Sequence, residues 1–362
     1  MQPASSVKNI NPFSSMKITP PFGGVLLGTV LILIVVSLTG ECLIRLGMSF
    51  GLWPAPLLGS ANAELDIKLQ TLDEISQKEK VDCIFLGSSQ LDTALNPAVF
   101  SETHEYETGT SLNCFNFSLG TLTAGPAGKI AALLVYRYQP ELLVVGISAR
   151  DFSRDFGELA RPLMDDPWVR DRIGQPNLTG RLTEISMFFR FLSQNRVAFN
   201  PDYQALRNRM LHQLAPDGFL QYSGNDLTID TDAFIPKYKL HAEDLSGLDE
   251  VMATEDQGVR VIILEVPIYP DFLPHYVEGD SEKYFTMFRV PIQERIDVYG
   301  VPFVYSQEAI GIHIPGSGWN DVKHLNTEGA ETFSRWFARR AAELFSPTTT
   351  GKSLSMGYHG NH

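Results

Sequence analysis

Cysteine is scarce in this chain: three in 362 residues, at Cys42, Cys83 and Cys114. That number excludes a disulfide-stapled scaffold and a cysteine-rich zinc site. Basic charge is short as well, with 29 Lys and Arg against 42 Asp and Glu and a formal net charge of -13. A chain of that sign lacks the cationic surface that phosphate backbones require, so nucleic acid is not an expected partner. No His, Asp or Glu cluster has metal-ligand spacing, and neither a metal nor an organic cofactor is expected. No internal repeat is present. What remains is ordinary globular composition, 44% hydrophobic and 20% charged, in a length that suits one large domain or two small ones with accessory segments.

One long apolar run stands out. FGGVLLGTVLILIVVSLTG, residues 22–40, contains no charge and is long enough to span a bilayer core at about 1.5 Å per residue. Lys8 and Lys17 precede it, while Glu41 and Arg45 follow. That asymmetry favours a cytoplasmic N-terminus and an extracytoplasmic remainder. A cleaved leader is the alternative, but its apolar region is shorter and its small-residue cleavage site lies close behind. Here the nearest such site is Ala61-Asn62-Ala63. Glu41 before Cys42 argues against a lipidated cysteine.

The remaining boundaries follow from composition. Residues 1–20 read as a polar disordered tail, 21–46 as the anchor, and 47–80 as a linker with a lead-in helix. The charge pattern from Ala63 to Lys80 is that of a solvated helix. Residues 81–346 form the folded domain and 347–362 a second tail. Within the domain, apolar runs at 81–86, 114–120, 141–148, 259–267 and 301–307 read as strands. Helical patterns at Pro126–Gln139, His241–Glu255, Ser281–Tyr299 and Asn326–Phe345 separate or follow them. The last is expected to bury Phe333, Trp336, Phe337, Ala341, Leu344 and Phe345. Such alternation predicts an α/β fold, a parallel sheet with helices on both faces. Residues from about 152 to 240 interrupt it with Arg- and aromatic-rich helical stretches, read as an insertion over the sheet's carboxyl edge.

The candidate chemistry lies at the strand ends. Val81 to Leu86 is apolar on both faces and stops at Gly87-Ser88-Ser89. In open α/β sheets, ligands bind at that carboxyl edge. A serine there is a weak nucleophile unless a base takes its proton and a third group orients the base. WNDVKHLNTEG places Asp321 three residues before His324, just ahead of the last helix, so one turn can supply carboxylate and imidazole together. Taken singly, GSS also reads as a small-residue turn and DxxH as a capped surface loop. His313, Tyr269, Asp271, Arg150 and Asp151 are weaker candidates near the same edge, with plain structural roles as the alternative.

The combination of GxS after the first strand and DxxH before the last helix resembles the SGNH/GDSL hydrolase superfamily across most of residues 81–346. The resemblance implies a three-layer sandwich around a five-stranded parallel sheet. It makes Ser89 the nucleophile, His324 the base and Asp321 its orienting carboxylate. NFSLG, residues 116–120, matches a second block, implying an oxyanion hole from the backbone N–H groups of Ser89 and Gly120. Where the family places an asparagine after the third strand as a further oxyanion donor, GISARDF supplies Ser148, whose hydroxyl would take that part. Gly87-Ser88-Ser89, NFSLG, the Arg150-Asp151-Phe152 turn after the third strand and the DVKHLN run together are similar to a membrane-anchored branch that includes the D-alanyl transfer protein of teichoic acid modification and the acetylation proteins of exopolysaccharide synthesis. The likeness implies acyl transfer or ester hydrolysis on a cell-envelope glycan, with a membrane-bound O-acyltransferase as partner. A non-catalytic protein that keeps the fold to bind glycan or to scaffold an envelope complex is the alternative.

Overall fold

The computed structural model describes residues 20–52, 62–198, 200–229, 234–307 and 314–345. The expected tails and His313 lie outside them, as does most of the linker. Pro20–Ser49 is one apolar helix, long enough to cross a membrane by length and composition.

Five strands form a single sheet: β1 (Cys83–Leu86), β2 (Cys114–Asn116), β3 (Leu142–Ile147), β4 (Arg260–Glu265) and β5 (Phe303–Val304). Their order is β2-β1-β3-β4-β5 and every pairing is parallel. Each strand expected from its apolar run is present, shortened by the turn chemistry at its ends. Because side chains alternate across a pleated strand, the two faces separate cleanly. Ile84, Leu143, Val145 and Ile263 pack on the helices Ala124–Tyr138, Ala242–Met252 and Val290–Tyr299. Cys83, Phe85, Val144 and Ile262 face Pro97–Thr108 and Thr327–Phe345 through Phe100, Phe333 and Phe337. Burial on both faces is why these strands read as continuous apolar runs. The last helix buries Phe333, Phe337 and Ala341 as its spacing predicts, while Trp336, Leu344 and Phe345 are only partly covered.

One expectation is overturned. Ala63–Ser76 is no solvated helix: Leu65, Leu69 and Leu72 are buried in the sheet's core. Lys68 goes in with them, fully buried, its Nζ donating to Asp92 Oδ1 and to the Ser118 carbonyl, each at 2.5 Å. Of the charges that suggested solvent, Asp66 and Lys68 are buried and Glu64 is half-buried, while Glu74, Lys78, Glu79 and Lys80 stay exposed.

The chain places β2 on one side of β1 and β3 on the other, so the sheet's switch point lies at the carboxyl ends of β1 and β3. The ladder continues past β2, with Phe117 N–H donating to the Phe85 carbonyl at 2.7 Å and Leu119 N–H to the Gly87 carbonyl at 2.9 Å. Residues 118–120 are thereby held level with Ser89. Helices of the 161–213 region fill the connection between β3 and β4.

Candidate active site

Gly87 ends β1 because nothing larger fits. A Cβ there would meet Leu91 at 2.9 Å and the Gly146 carbonyl at 3.0 Å. Leu91 fills the notch left by Gly87 and Gly146, drawing the helix Ser89–Ala94 tightly onto β1 and β3. Ser89 opens that helix and is half-buried, while Ser88 is buried. The first N–H groups of a helix have no acceptor within it, so that of Ser89 remains available at the sheet edge.

His324 and Asp321 come from a tight loop between Trp319 and Leu325, which pair as an antiparallel bridge. The loop is fixed at both ends. Trp319 is fully buried, and Asn326 Oδ1 accepts from Gly329 N–H at 3.1 Å to cap the last helix. A Cβ on Gly329 would lie 1.9 Å from the Gly318 carbonyl, so the helix start and the turn Gly316–Gly318 touch backbone to backbone. That contact sets the height of His324 above the sheet.

Three side chains then form one relay. Ser89 Oγ lies 3.0 Å from His324 Nε2, across 235 residues of sequence. His324 Nδ1 lies 2.9 Å from Asp321 Oδ2 and 3.0 Å from Oδ1. Burial alone would raise the Asp321 carboxyl. The hydrogen bond and charge of His324, with the backbone N–H groups of Lys323 and His324, outweigh it and bring Asp321 down to about 2. An ionised Asp321 makes Nδ1 the protonated nitrogen and leaves Nε2 as an acceptor for the Ser89 hydroxyl. Hydroxyl, imidazole and carboxylate are thus in the order that acyl transfer requires.

The two other expected oxyanion donors are engaged. Gly120 N–H donates to Glu64 Oε2 at 2.8 Å. Ser148 donates both its N–H, at 2.8 Å, and its hydroxyl, at 2.9 Å, to Asp151 Oδ2, and so caps the turn Ala149–Phe152. Burial pushes Asp151 up to about 6, against the pull of Arg150 and Ser148. Asp151 therefore has a local structural role. Tyr269 packs edge-on to Trp319 at 5.5 Å and supports the loop that carries Asp321.

Sequence reasoning missed two groups. Tyr222 sets its ring edge-on to His324 at 6.1 Å, while its carbonyl accepts from Thr327 N–H at 2.9 Å. No local pattern marks it. Glu64 was detectable only as a carboxylate one turn before Lys68, and Lys68 itself looked exposed. Among the described residues no cluster of His, Cys, Asp and Glu could hold a metal ion.

An open parallel sheet with a Ser-His-Asp relay at its switch point defines the arrangement. No protein-family model and no curated protein matches the chain. Among solved structures it is similar to a GDSL-like lipase from Bacteroides thetaiotaomicron, at 12% identity and a TM-score of 0.37, over 78% of this chain and 98% of that one. It is also similar to a lipase/acylhydrolase from Enterococcus faecalis, at 10% identity and a TM-score of 0.35, over 74% and 98%. A third is the inhibitor-bound aryl esterase of M. smegmatis, at 12% identity and a TM-score of 0.33, over 73% and 99%. Identities of 10–12% tie no residue to a role, so the chemistry rests on this chain's own side chains.

Proposed function

We propose that the chain is a serine-dependent acyl transferase or carboxylic ester hydrolase of the SGNH type, tethered to a membrane by its N-terminal helix and acting on an acylated envelope or exopolysaccharide glycan. The observation that carries the reading is the unbroken relay from Ser89 Oγ through His324 to Asp321. Ser89 Oγ attacks the acyl carbon and its proton passes to His324 Nε2. The carbonyl oxygen becomes an oxyanion, received by the N–H groups of Ser89 and Gly120 once Glu64 has moved aside. The C–O bond to the leaving alcohol then breaks, and Nε2 returns the proton to that alcohol. Water or a sugar hydroxyl attacks the acyl-serine, loses its proton to Nε2, and Ser89 leaves with that proton restored. Asp321 holds the imidazole tautomer throughout.

The tether supports a polymer or lipid-linked acceptor, because it keeps the site within a domain's width of the membrane. A membrane-bound O-acyltransferase that supplies the acyl group fits the same reading. The test is labelling of the full-length protein with a fluorophosphonate, followed by product analysis from an aryl acetate with and without a saccharide acceptor. The expected result is one phosphonylated residue, Ser89, and an acetylated saccharide. A second reading, a glycan-binding protein without turnover, is favoured by one observation: Gly120 and Ser148 both have their donors engaged by carboxylates. It takes over if Ser89 stays unlabelled and no acyl donor is consumed.

A further inference from the structure

The helix Leu178–Ile185 is packed inside out. Its large apolar residues Leu178, Leu182 and Ile185 share one stripe, spaced as successive turns of a helix. Leu178 is 74% exposed and Ile185 73%. The face it buries is small and polar: Gly180 and Thr183, with Gly180 so close to Pro167 that a Cβ would lie 2.2 Å from its carbonyl. An amphipathic helix facing water on its outer side would be turned the other way.

What lies beside this stripe identifies its environment. Directly after Ile185, Ser186 Oγ donates to Glu41 Oε2 at 3.1 Å, and the N–H groups of Met187 and Phe188 donate to the same carboxylate at 3.2 and 2.9 Å. Glu41 thus caps the helix Met187–Ala198 from another segment of the chain. One residue earlier, Gly40 lies flat on the Phe188 ring, where a Cβ would come within 2.5 Å. Glu41 is the first charge after the apolar run that begins at Phe22. At about 1.5 Å per residue it stands about 27 Å from Gly23, near the far edge of a hydrocarbon core of about 30 Å. The end of the stripe at Ile185, one residue from Ser186, is thereby held beside the end of that run. Arg45, one turn past Glu41, and Arg181, within the helix itself, are both exposed, as basic side chains are beside headgroups.

We infer that Leu178–Ile185 is a second membrane contact, an interfacial helix whose Leu178, Leu182 and Ile185 stripe lies in the acyl region of the leaflet next to the end of the span. This rests on reading Gly23–Ser49 as a transmembrane helix. Continuity with the span commits the face to lipid rather than to another protein. Two contacts instead of one hold the sheet's carboxyl edge at a set angle to the bilayer.

The test uses the full-length protein in phosphatidylcholine/phosphatidylglycerol vesicles, with Cys42→Ser removing the exposed thiol. Single cysteines at Ile185→Cys, Leu178→Cys, Val35→Cys and Tyr106→Cys carry a bimane label, and a shallow doxyl-lipid serves as quencher. Tyr106 is 86% exposed on the opposite layer and reports bulk solvent. The expected result is lipid quenching at 178 and 185 at least twofold above that at 106. Quenching at 35 with none at 178 and 185 overturns the second contact and leaves the anchor standing. No quenching at any position overturns both. Protection of 178 and 185 from aqueous iodide without lipid quenching assigns the face to protein and likewise overturns the proposal.

Discussion

Replacing Glu64 with alanine is expected to make the protein faster. In the structure the Gly120 N–H, the proposed oxyanion donor, is held by the Glu64 carboxylate at 2.8 Å. The side chain is only 15% exposed, so water screens the contact poorly. Hydrogen bonds to charged groups contribute about 1.5–3 kcal/mol, and an entering acyl oxygen has to displace this one. At about 1.4 kcal/mol per tenfold, removing the competitor raises kcat/KM by about 10- to 100-fold. Lys68 loses its 4.0 Å neighbour but keeps Asp92 and the Ser118 carbonyl, so the core beneath the site stays paired. Glu64→Gln, which keeps an acceptor and drops the charge, should fall between wild type and Glu64→Ala. The assay is aryl acetate hydrolysis by full-length protein in micelles, beside fluorophosphonate labelling rates and a thermal melt. A kcat/KM that falls tenfold with an unchanged melt would refute the reasoning, since Glu64 would then be assisting turnover. A value within twofold of wild type would show that Gly120 is not the donor in use.

Further outcomes can be checked in the same protein. Ser89→Ala should abolish turnover with the fold intact by circular dichroism. Ser88→Ala should stay within a few-fold of wild type and be no less stable, because the buried Ser88 Oγ has no hydrogen-bond partner among the described residues. Asp321→Asn should lower kcat by about 100- to 10,000-fold by loosening the tautomer of His324. The same variant should lose an acid-dependent stabilisation. The folded value of about 2 lies below an ordinary aspartate, so the contribution is complete above about pH 4 and lost as pH falls through 2. With the carboxylate 36% exposed, solvent screening reduces it to about 1 kcal/mol, read from urea melts of both proteins between pH 2 and 5. Lys68→Met strands the fully buried Asp92, whose carboxyl burial already pushes well up. It should destabilise by about 3 kcal/mol or more at neutral pH and less in acid, with Lys68→Met/Asp92→Leu regaining much of the loss in the same melts. Native protein should show only Cys42 to a thiol reagent, since Cys83 and Cys114 are buried free thiols. A two-hydrogen mass gain on reduction would contradict this.

The sheet was legible because each strand is buried on both faces, and two-sided burial leaves an apolar run in any sequence. The register was partly legible too. Cys83 and Cys114 stand six residues before Ser89 and Gly120, and the ladder pairs those cysteines directly. The serine and the Asp-His turn were readable because each sits at an element boundary, where the residues that stop a strand or start a helix are few and recognisable. What surrounds them was not. Ser148 was expected at an oxyanion position only through the resemblance, yet Asp151 stands three residues on, and a serine with an acid at that spacing closes a capping box. That local alternative was visible in the sequence, and its hydrogen bonds are the ones the structure shows.

Glu64 and Lys68 show the deeper limit. Period and charge place AELDIKLQTL on a helix with a polar face, and solvent is the ordinary destination of such a face. It goes inward here only because two acceptors from distant segments, Asp92 from the helix after β1 and the Ser118 carbonyl beyond β2, meet there beside Glu64 one turn back. Each is unremarkable in its own window. Their convergence beneath Ser89 is a property of the β2-β1-β3 order, which brings residues 92 and 118 to the same edge. The same convergence couples the lead-in helix to the site. A pull on the segment between the anchor and Ala63 would move Glu64, and with it the occupant of the Gly120 N–H, before it disturbed the Ser89–His324–Asp321 relay. Activity that depends on the tether should therefore trace to Glu64, and Glu64→Ala should make the rate indifferent to whether the protein sits in a micelle or in a bilayer.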